Sequence, residues 1–153
     1  DINNIDSNFF NIKNALRTIN SLKIYPFYIN GDIKKSIKNY KDLFNKKLNA
    51  TKTFDLLILG VGLDGHIASI FPSYELDMNE DVYHVKNLKD QFKYDRITVG
   101  MRILTKSKNT ILITYGFEKF DLIKNQLNEK HPIYQLAKYN ENINWIFTKK
   151  EYE

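Results

Sequence analysis

Cysteine is absent from this chain of 153 residues, so the protein has no disulfide, no thiolate metal site and no cysteine nucleophile. A chain without cysteine suits a reducing compartment, and we expect a cytoplasmic protein. No apolar run approaches the roughly 20 residues that a membrane helix needs. The first ten residues, DINNIDSNFF, also lack the basic-then-apolar order of a signal peptide. We therefore expect a soluble chain with no membrane partner.

Acidic residues are fewer than basic ones, 18 against 23, which gives a net charge of +5 and a pI near 9.2. Positive charge favours anionic partners, and nucleic acid and phosphorylated metabolites both qualify. The lysines are spread among asparagines, as on a solvated basic face, and the ten tyrosines and ten phenylalanines fall mostly at core-facing positions. We therefore expect no nucleic-acid partner. A non-catalytic basic binding module is the alternative, and salt-dependent retention on DNA would favour it.

Strand-like and helix-like segments alternate along the chain, which indicates a single α/β domain over residues 1–153. The run FDLLIL (54–59) is short and continuously apolar, as in a strand buried on both faces at the centre of a parallel sheet. An amphipathic helix follows an N-cap at Asp32. Further strands are predicted at 24–29 (short or at an edge), 96–101, 109–115 and 143–148. Further helices are predicted from residue 8 to about 21 and from 117 to 128, and irregular structure is predicted over 73–85. Right-handed crossovers would join these segments into an open, mostly parallel sheet with helices on both faces.

The loop after FDLLIL contains three glycines, Gly60, Gly62 and Gly65, which satisfy the dinucleotide pattern G-x-G-x-x-G. That pattern also requires a long helix at the third glycine and an acidic residue at the end of a second strand. Here Pro72 follows seven residues after Gly65, and no acidic residue ends a strand pattern. The loop does not match a Walker A motif either, because no Gly-Lys-Ser/Thr follows. The loop is therefore not predicted to bind a nucleotide.

His66 in this loop has two interpretations. In one, the glycines only permit positive φ in a tight turn, Asp64 caps a short helix and His66 has no function. In the other, His66 lies in the first turn of a helix at the mouth of a central strand, where backbone N–H groups can stabilise an oxyanion. Imidazole titrates near neutrality and can take a proton from water, and Asp64 can orient the ring. We favour the second interpretation, a catalytic His66.

The run GVGLDGHIASIFP resembles the signature of the 6-phosphogluconolactonases, G-x-G-x-D-G-H-x-A-S-[LI]-F-P. Other segments resemble that family in its order: DSNF at 6–9, RIT at 96–98, TYGFEK at 114–119 and the tryptophan-containing strand at 144–145. The resemblance implies the open α/β sheet of the glucosamine-6-phosphate isomerase/6-phosphogluconolactonase superfamily. It also implies hydrolysis of 6-phospho-D-glucono-1,5-lactone to 6-phosphogluconate, with no metal or other cofactor.

The resemblance implies a role for each site residue. His66 would activate the water that attacks the lactone, beside Asp64, in a loop whose glycines face the substrate. Arg96 would bind the phosphate, because a guanidinium offers bidentate contact with phosphate oxygens. A nearby lysine, Lys93 or Lys89, would assist it, and the resemblance does not decide between the two. Arg102 departs from the family pattern, which usually has proline there.

Glucosamine-6-phosphate deaminases share the G-x-G-x-D-G-H-I-A core, but their signature continues F-N-E-P. The carboxylate of that continuation shuttles protons during ring opening. This chain has Ser69-Ile70-Phe71-Pro72 instead, the lactonase continuation. We therefore interpret the chain as a lactonase and keep a deaminase-like sugar-phosphate enzyme as the alternative.

The chain begins at Asp1, inside a segment that in lactonases follows two further strand–helix units. The resemblance therefore implies an N-terminally truncated domain that lacks much of the phosphate-binding half. We expect this fragment to be weakly active or inactive by itself, and lactone turnover at native rates would contradict that expectation. Some lactonases are joined to glucose-6-phosphate dehydrogenase, and a start at Asp1 permits such a fusion or association without establishing it.

Overall fold

The computed structural model describes residues 2–28, 31–48, 50–72, 74, 77–87 and 93–148. The helices are α1 (Asn8–Ala15), α2 (Ile33–Lys47), α3 (Met101–Leu104), α4 (Phe117–Asp121), a π-helical turn (Leu122–Gln126) and α5 (Pro132–Tyr139). The strands are β1 (Leu57–Gly60), β2 (Val82–Val85), β3 (Arg96–Val99), β4 (Thr110–Tyr115) and β5 (Ile143–Thr148). Within the described residues, no helix has the length and apolar character to cross a membrane.

Three strands form a parallel sheet in the order β1-β4-β5, which confirms the predicted α/β class. Leu59 pairs with Leu112, and Leu112 pairs with Trp145. Because the strands are parallel, the loops after β1 and β4 leave the sheet at the same edge. This brings the glycine loop next to the turn after Tyr115, and ligands bind at such carboxyl edges in open α/β sheets.

The predicted central position of FDLLIL is wrong for the sheet formed by the described residues, in which β4 is the central strand. β1 pairs only with β4 among the described residues, and Leu56 and Ile58 are 50% and 58% exposed. Ile113 and Ile146 are exposed on the same face of the sheet. A continuous apolar run indicates two apolar faces, but it does not reveal whether described residues cover both.

A second, two-stranded sheet pairs β2 with β3 in antiparallel register, and Val82 lies opposite Val99. The strand predicted at 96–101 is therefore real but lies outside the parallel sheet, and it ends at Val99. Strand β2 was predicted as irregular, because the acidic residues around it obscure the short alternation of VYHV. Gly100 donates its N–H to the carbonyl of Asp81 and leads directly into α3.

Several predicted boundaries are also wrong. The first helix ends at Ala15 rather than near residue 21, and residues 24–28 form no strand, as Pro26 removes a donor. The helix predicted over 117–128 changes to π-helical geometry at Leu122. The helices α3 and α5 were not predicted, because each is too short to establish a periodicity.

Helix α2 confirms its predicted start, since the carboxylate of Asp32 accepts a hydrogen bond of 2.9 Å from the Lys35 N–H. Its apolar face contributes Phe44, which is 3% exposed, to the core. The Phe44 ring makes edge contacts with the rings of Tyr40 and Phe54. The side chains that are almost completely enclosed come from the glycine loop, β2, α3, β4 and α5: Ile67, Ile70, Val82, Val85, Met101, Ile103, Leu104, Thr110, Leu112, Thr114, Ile133 and Leu136. The glycine loop is thus anchored in the core by residues on both sides of Ala68.

Asp81 is a buried carboxylate, 5% exposed, that forms ion pairs with Lys52 and Arg102. Burial disfavours its charged form, but the hydrogen bonds from Lys52 and Arg102 outweigh burial and hold the pKa of Asp81 below its ordinary value. Arg102, which departs from the family pattern, therefore has a structural role. The ion pairs join the segment before β1, the start of β2 and helix α3.

We expect Asp81→Asn to lower the free energy of unfolding at pH 7 by about 2 kcal/mol, because the substitution leaves two partly buried cations without their carboxylate. A carboxylate with a lowered folded-state pKa stabilises the fold above its unfolded-state pKa, and the stabilisation is lost as pH falls through the folded-state pKa. The difference from wild type should therefore shrink as the pH falls from 7 to about 3. Urea unfolding of both proteins at a series of pH values measures this difference in the free energy of unfolding.

The matched control is Asp55→Asn, which removes an exposed pair with Lys108, the carboxylate being 87% exposed. It should change the free energy of unfolding by less than about 1 kcal/mol. If Asp81→Asn lowers the free energy of unfolding equally at pH 7 and at acidic pH, the charged carboxylate of Asp81 does not stabilise the fold in the way described.

Candidate functional site

The glycine loop folds back on itself at the end of β1. The Gly62 N–H donates to the carbonyl of His66 at 2.9 Å, and the Gly65 N–H donates to the carbonyl of Gly62 at 3.1 Å. Ile67 forms isolated bridges to Val61 and Ile70, so residues 61–70 contain no helix. The predicted short helix at Asp64 and His66 is therefore wrong. Without a helix at this position, a helix dipole does not act on His66.

The His66 ring is held by Asp64. Nδ1 of His66 lies 2.6 Å from Oδ1 of Asp64, and the backbone N–H of His66 donates to the same oxygen at 3.1 Å. A carboxylate at Nδ1 favours the neutral tautomer whose proton is on Nδ1, which leaves the Nε2 lone pair free to accept a proton. The Phe71 ring lies 4.6 Å from the imidazole, centroid to centroid. Contact with Asp64 and Phe71 thus fixes a ring that still has 33% of its side-chain surface exposed.

At two of the three glycine positions, a histidine ring lies so close to the backbone that a side chain would collide with it. A Cβ on Gly62 would lie 2.1 Å from Nδ1 of His66, so any side chain there would displace the ring. Gly65 has a φ of 75°, and its Cβ would lie 2.7 Å from the ring of His131. Gly60 differs, since nothing lies within 4 Å of its Cβ position. The space beside Gly60 is therefore open to a ligand.

His66 faces a cavity of about 560 Å³ between the glycine loop and the turn after β4. The described residues that line it are Leu63, Asp64, His66, Phe71, Tyr115, Gly116, Glu118 and Lys119. Gly116 has a φ of 92°, a conformation that favours glycine and turns β4 directly into α4. This turn brings Lys119 into the same cavity lining as Asp64 and His66. The cavity therefore combines an imidazole with an ammonium group.

Lys119 was not among the predicted site residues, although it is the single lysine or arginine in the described cavity lining. The sequence did contain a signal, because TYGFEK resembles the T-G-x-x-K turn of the lactonases. Asp64 and Glu118 line the same cavity. With two carboxylates present, attraction of an anion to this cavity depends on Lys119.

The N–H groups of Gly62, Gly65 and His66 already donate within the loop, so these three are not free to bind an oxyanion. The prediction that N–H groups of the loop stabilise the oxyanion is therefore wrong for these three. Lys119 is the one lysine or arginine side chain in the described lining of this cavity.

Arg96 lies elsewhere, at the start of β3. It lines a second cavity, of about 500 Å³, together with Asp6, Ser7 and Ser69, among others. The described linings of the two cavities share no residue. Arg96 and His66 therefore line different cavities in the described part of the chain, and the phosphate-binding role of Arg96 stays a prediction.

Lys93 is engaged by the N-terminal segment. Its Nζ lies 2.6 Å from Oδ2 of Asp6, and the Tyr94 hydroxyl donates to the same oxygen at 3.0 Å. These hydrogen bonds lower the pKa of Asp6, and the bond with Asp6 raises the pKa of Lys93. Lys93 lines neither cavity among the described residues. Lys89, its predicted alternative, lies outside the described residues, and the substrate role of either lysine stays a prediction.

No group of three or more histidine, cysteine, aspartate or glutamate side chains in the described part of the chain is arranged to hold a metal ion.

Known proteins resemble the chain in sequence and in fold. Residues 1–145 match the family described as glucosamine-6-phosphate isomerases/6-phosphogluconolactonase. A 6-phosphogluconolactonase of Borreliella burgdorferi is 32% identical over 133 residues, which are 86% of this chain and 55% of that protein. The crystal structure of 6-phosphogluconolactonase from Thermotoga maritima superposes with a TM-score of 0.75 at 26% identity, covering 98% of this chain and 68% of that one.

A monomeric glucosamine-6-phosphate deaminase also superposes, with a TM-score of 0.72 at 16% identity over 94% of this chain and 66% of that one, which shows a shared fold alone. The chain spans about half the length of curated relatives that it matches, such as the Borreliella protein. The family match nevertheless covers nearly all of its residues. The chain belongs to the glucosamine-6-phosphate isomerase/6-phosphogluconolactonase family.

Proposed function

We propose that the protein containing this chain hydrolyses 6-phospho-D-glucono-1,5-lactone to 6-phosphogluconate, as its relatives named 6-phosphogluconolactonase do. The observation that carries the proposal is the contact of 2.6 Å between Asp64 and Nδ1 of His66. This contact leaves Nε2 as a proton acceptor in a cavity that also contains a cation. A positioned base can activate the water that attacks a lactone, and a cation in the same cavity can hold an anionic substrate.

The proposed reaction has two steps. Nε2 of His66 takes a proton from water as the water oxygen forms a bond to C1 of the lactone, and the C1 carbonyl oxygen becomes an oxyanion. The oxyanion then re-forms the carbonyl, the bond from C1 to the ring oxygen breaks, and the imidazolium returns its proton to that oxygen. The product is an open-chain carboxylic acid, which ionises. Asp64 holds the ring throughout and stabilises its charged form.

Lys119 is proposed to bind an anionic oxygen of the substrate. We expect Lys119→Met to weaken binding of 6-phosphogluconate, the product, by about tenfold, which is about 1.4 kcal/mol and typical of a lost hydrogen bond to a charged group. Isothermal titration of the full-length product of the gene measures the affinity.

Lys124→Met is the matched control. The ammonium group of Lys124 lies 5.9 Å from the Phe120 ring centroid, and Lys124 is not in the described cavity lining. This control should bind as wild type does. Equal affinities of the Lys119→Met and wild-type proteins would exclude Lys119 from the site.

The deaminase alternative is tested with the same protein. We expect it to consume the lactone faster than the spontaneous reaction and to release no ammonia from glucosamine 6-phosphate, because the chain has Phe71-Pro72 where deaminases have a carboxylate in the motif. The ammonia assay is needed because Glu118 places a different carboxylate in the cavity lining. Ammonia release without lactone hydrolysis would overturn the proposal.

Two further parts of the proposal concern the cell rather than the site. The lack of cysteine supports a cytoplasmic location. Fusion to or association with glucose-6-phosphate dehydrogenase stays a prediction, and the sequence of the complete gene would test the fusion.

A further inference from the structure

Tyr115, the last residue of β4, is a large aromatic side chain in the wall of the His66 cavity that the proposed chemistry does not use. It is 62% exposed, so it contributes little to the core. Exposure of a tyrosine at the mouth of a cavity leaves its ring available for contact with a charged or polar group.

The ring faces the ammonium group of Lys119. Nζ of Lys119 lies 4.9 Å from the centroid of the Tyr115 ring, within the range of a cation–π interaction. The positive φ of Gly116 makes the contact possible, because the chain turns from β4 into α4 within one residue and returns Lys119 over the strand end.

The cavity also offers carboxylates to the ammonium. Asp64 and Glu118 line it, yet no carboxylate in the described part of the chain forms an ion pair with Lys119. An ion pair would compete with an anionic ligand for the lysine. An aromatic face instead attracts the cation through its quadrupole and leaves the charge uncompensated. The Tyr115 ring therefore restrains a long, flexible side chain and keeps its charge available.

We infer that Tyr115 is a positioning residue that holds Lys119 in the His66 cavity for an anionic oxygen of the phosphosugar. The inference rests on the proposed function of this cavity. Tyr115 acts through Lys119, so its removal should affect ligand affinity and leave proton transfer at His66 intact.

Two substitutions in the full-length product of the gene test the inference. Tyr115→Leu removes the aromatic face, whereas Tyr115→Phe retains it and removes only the hydroxyl. We expect Tyr115→Leu to weaken 6-phosphogluconate binding and to raise KM for the lactone about two- to fivefold, the range of a cation–π contact at a partly exposed site. We expect kcat to stay within about twofold of wild type. Tyr115→Phe should restore both affinity and KM.

NMR gives a readout that does not depend on activity. A lysine over an aromatic face has ε-methylene protons shifted upfield by the ring current, so Lys119 should show this shift in wild type and in Tyr115→Phe but not in Tyr115→Leu. Tyr139→Leu is the matched control, because Tyr139 contacts Lys138 at 5.4 Å and is not in the described cavity lining. That variant should leave affinity, KM and the Lys119 shift unchanged.

The outcomes separate this inference from the proposed function. An active wild type with unchanged affinity and KM in Tyr115→Leu would overturn the role of Tyr115 alone, as would a wild type without the upfield Lys119 shift. Loss of affinity in Tyr115→Phe equal to that in Tyr115→Leu would assign the effect to the hydroxyl and also overturn it. A wild type that neither binds 6-phosphogluconate nor hydrolyses the lactone would overturn both proposals.

Discussion

Replacing His66 by alanine in the full-length product of the gene is expected to lower kcat for lactone hydrolysis by about 100- to 10,000-fold, the usual contribution of a positioned general base. KM should change little, because the proposed role of the imidazole is proton transfer and not binding of the phosphosugar. The rate must be corrected for spontaneous hydrolysis of the lactone.

His84→Ala is the control for this substitution. His84 also contacts a carboxylate, with Nε2 lying 2.7 Å from Oδ2 of Asp95, but it is not in the described lining of the His66 cavity. Its removal should leave kcat near the wild-type value. A near-normal kcat in a folded His66→Ala protein would exclude His66 as the base.

The second large effect is expected from Gly62→Ala. The added Cβ would lie 2.1 Å from Nδ1 of His66 and 2.8 Å from Oδ1 of Asp64, so the imidazole must move away from its partner. Displacement of a catalytic group by about 1 Å can cost about 100-fold in rate, and we expect kcat to fall by about that factor. Nitrogen NMR of the His66 ring should show that the hydrogen bond to Asp64 is lost.

Gly60→Ala is the matched control, since its Cβ would meet nothing within 4 Å. The free Gly60→Ala protein should retain the His66–Asp64 hydrogen bond and wild-type thermal stability. If this variant nevertheless binds 6-phosphogluconate more weakly, the backbone at Gly60 contacts the ligand, as predicted from the sequence. A wild-type kcat in Gly62→Ala would contradict the account of the loop.

The parts of the fold that were predictable from the sequence have a local physical cause. Helix α2 has an N-cap at Asp32 and a regular apolar stripe, and β4 and β5 are short apolar segments between polar turns. The position of β1 was not predictable in this way, because the exposure of Ile58 depends on which residues cover its face of the sheet. Strand β2 was missed since its pairing with β3 is a tertiary contact.

The candidate site also contains residues that were predictable from the sequence and residues that were not. Asp64 and His66 were predictable, because they are two residues apart and their contact is set by the loop itself. The positions of Arg96 and Lys93 were not, since each depends on how distant segments pack, such as the contact of Lys93 with Asp6. Lys119 comes from a different strand–helix turn, and only the parallel pairing of β1 with β4 brings it to His66.

The most direct test of the central claim is the rate at which the full-length product of the gene converts 6-phospho-D-glucono-1,5-lactone to 6-phosphogluconate. We predict an initial rate that exceeds spontaneous hydrolysis and increases in proportion to protein concentration. A rate equal to the spontaneous one at every protein concentration would contradict the claim that the Asp64–His66 pair activates water for lactone hydrolysis.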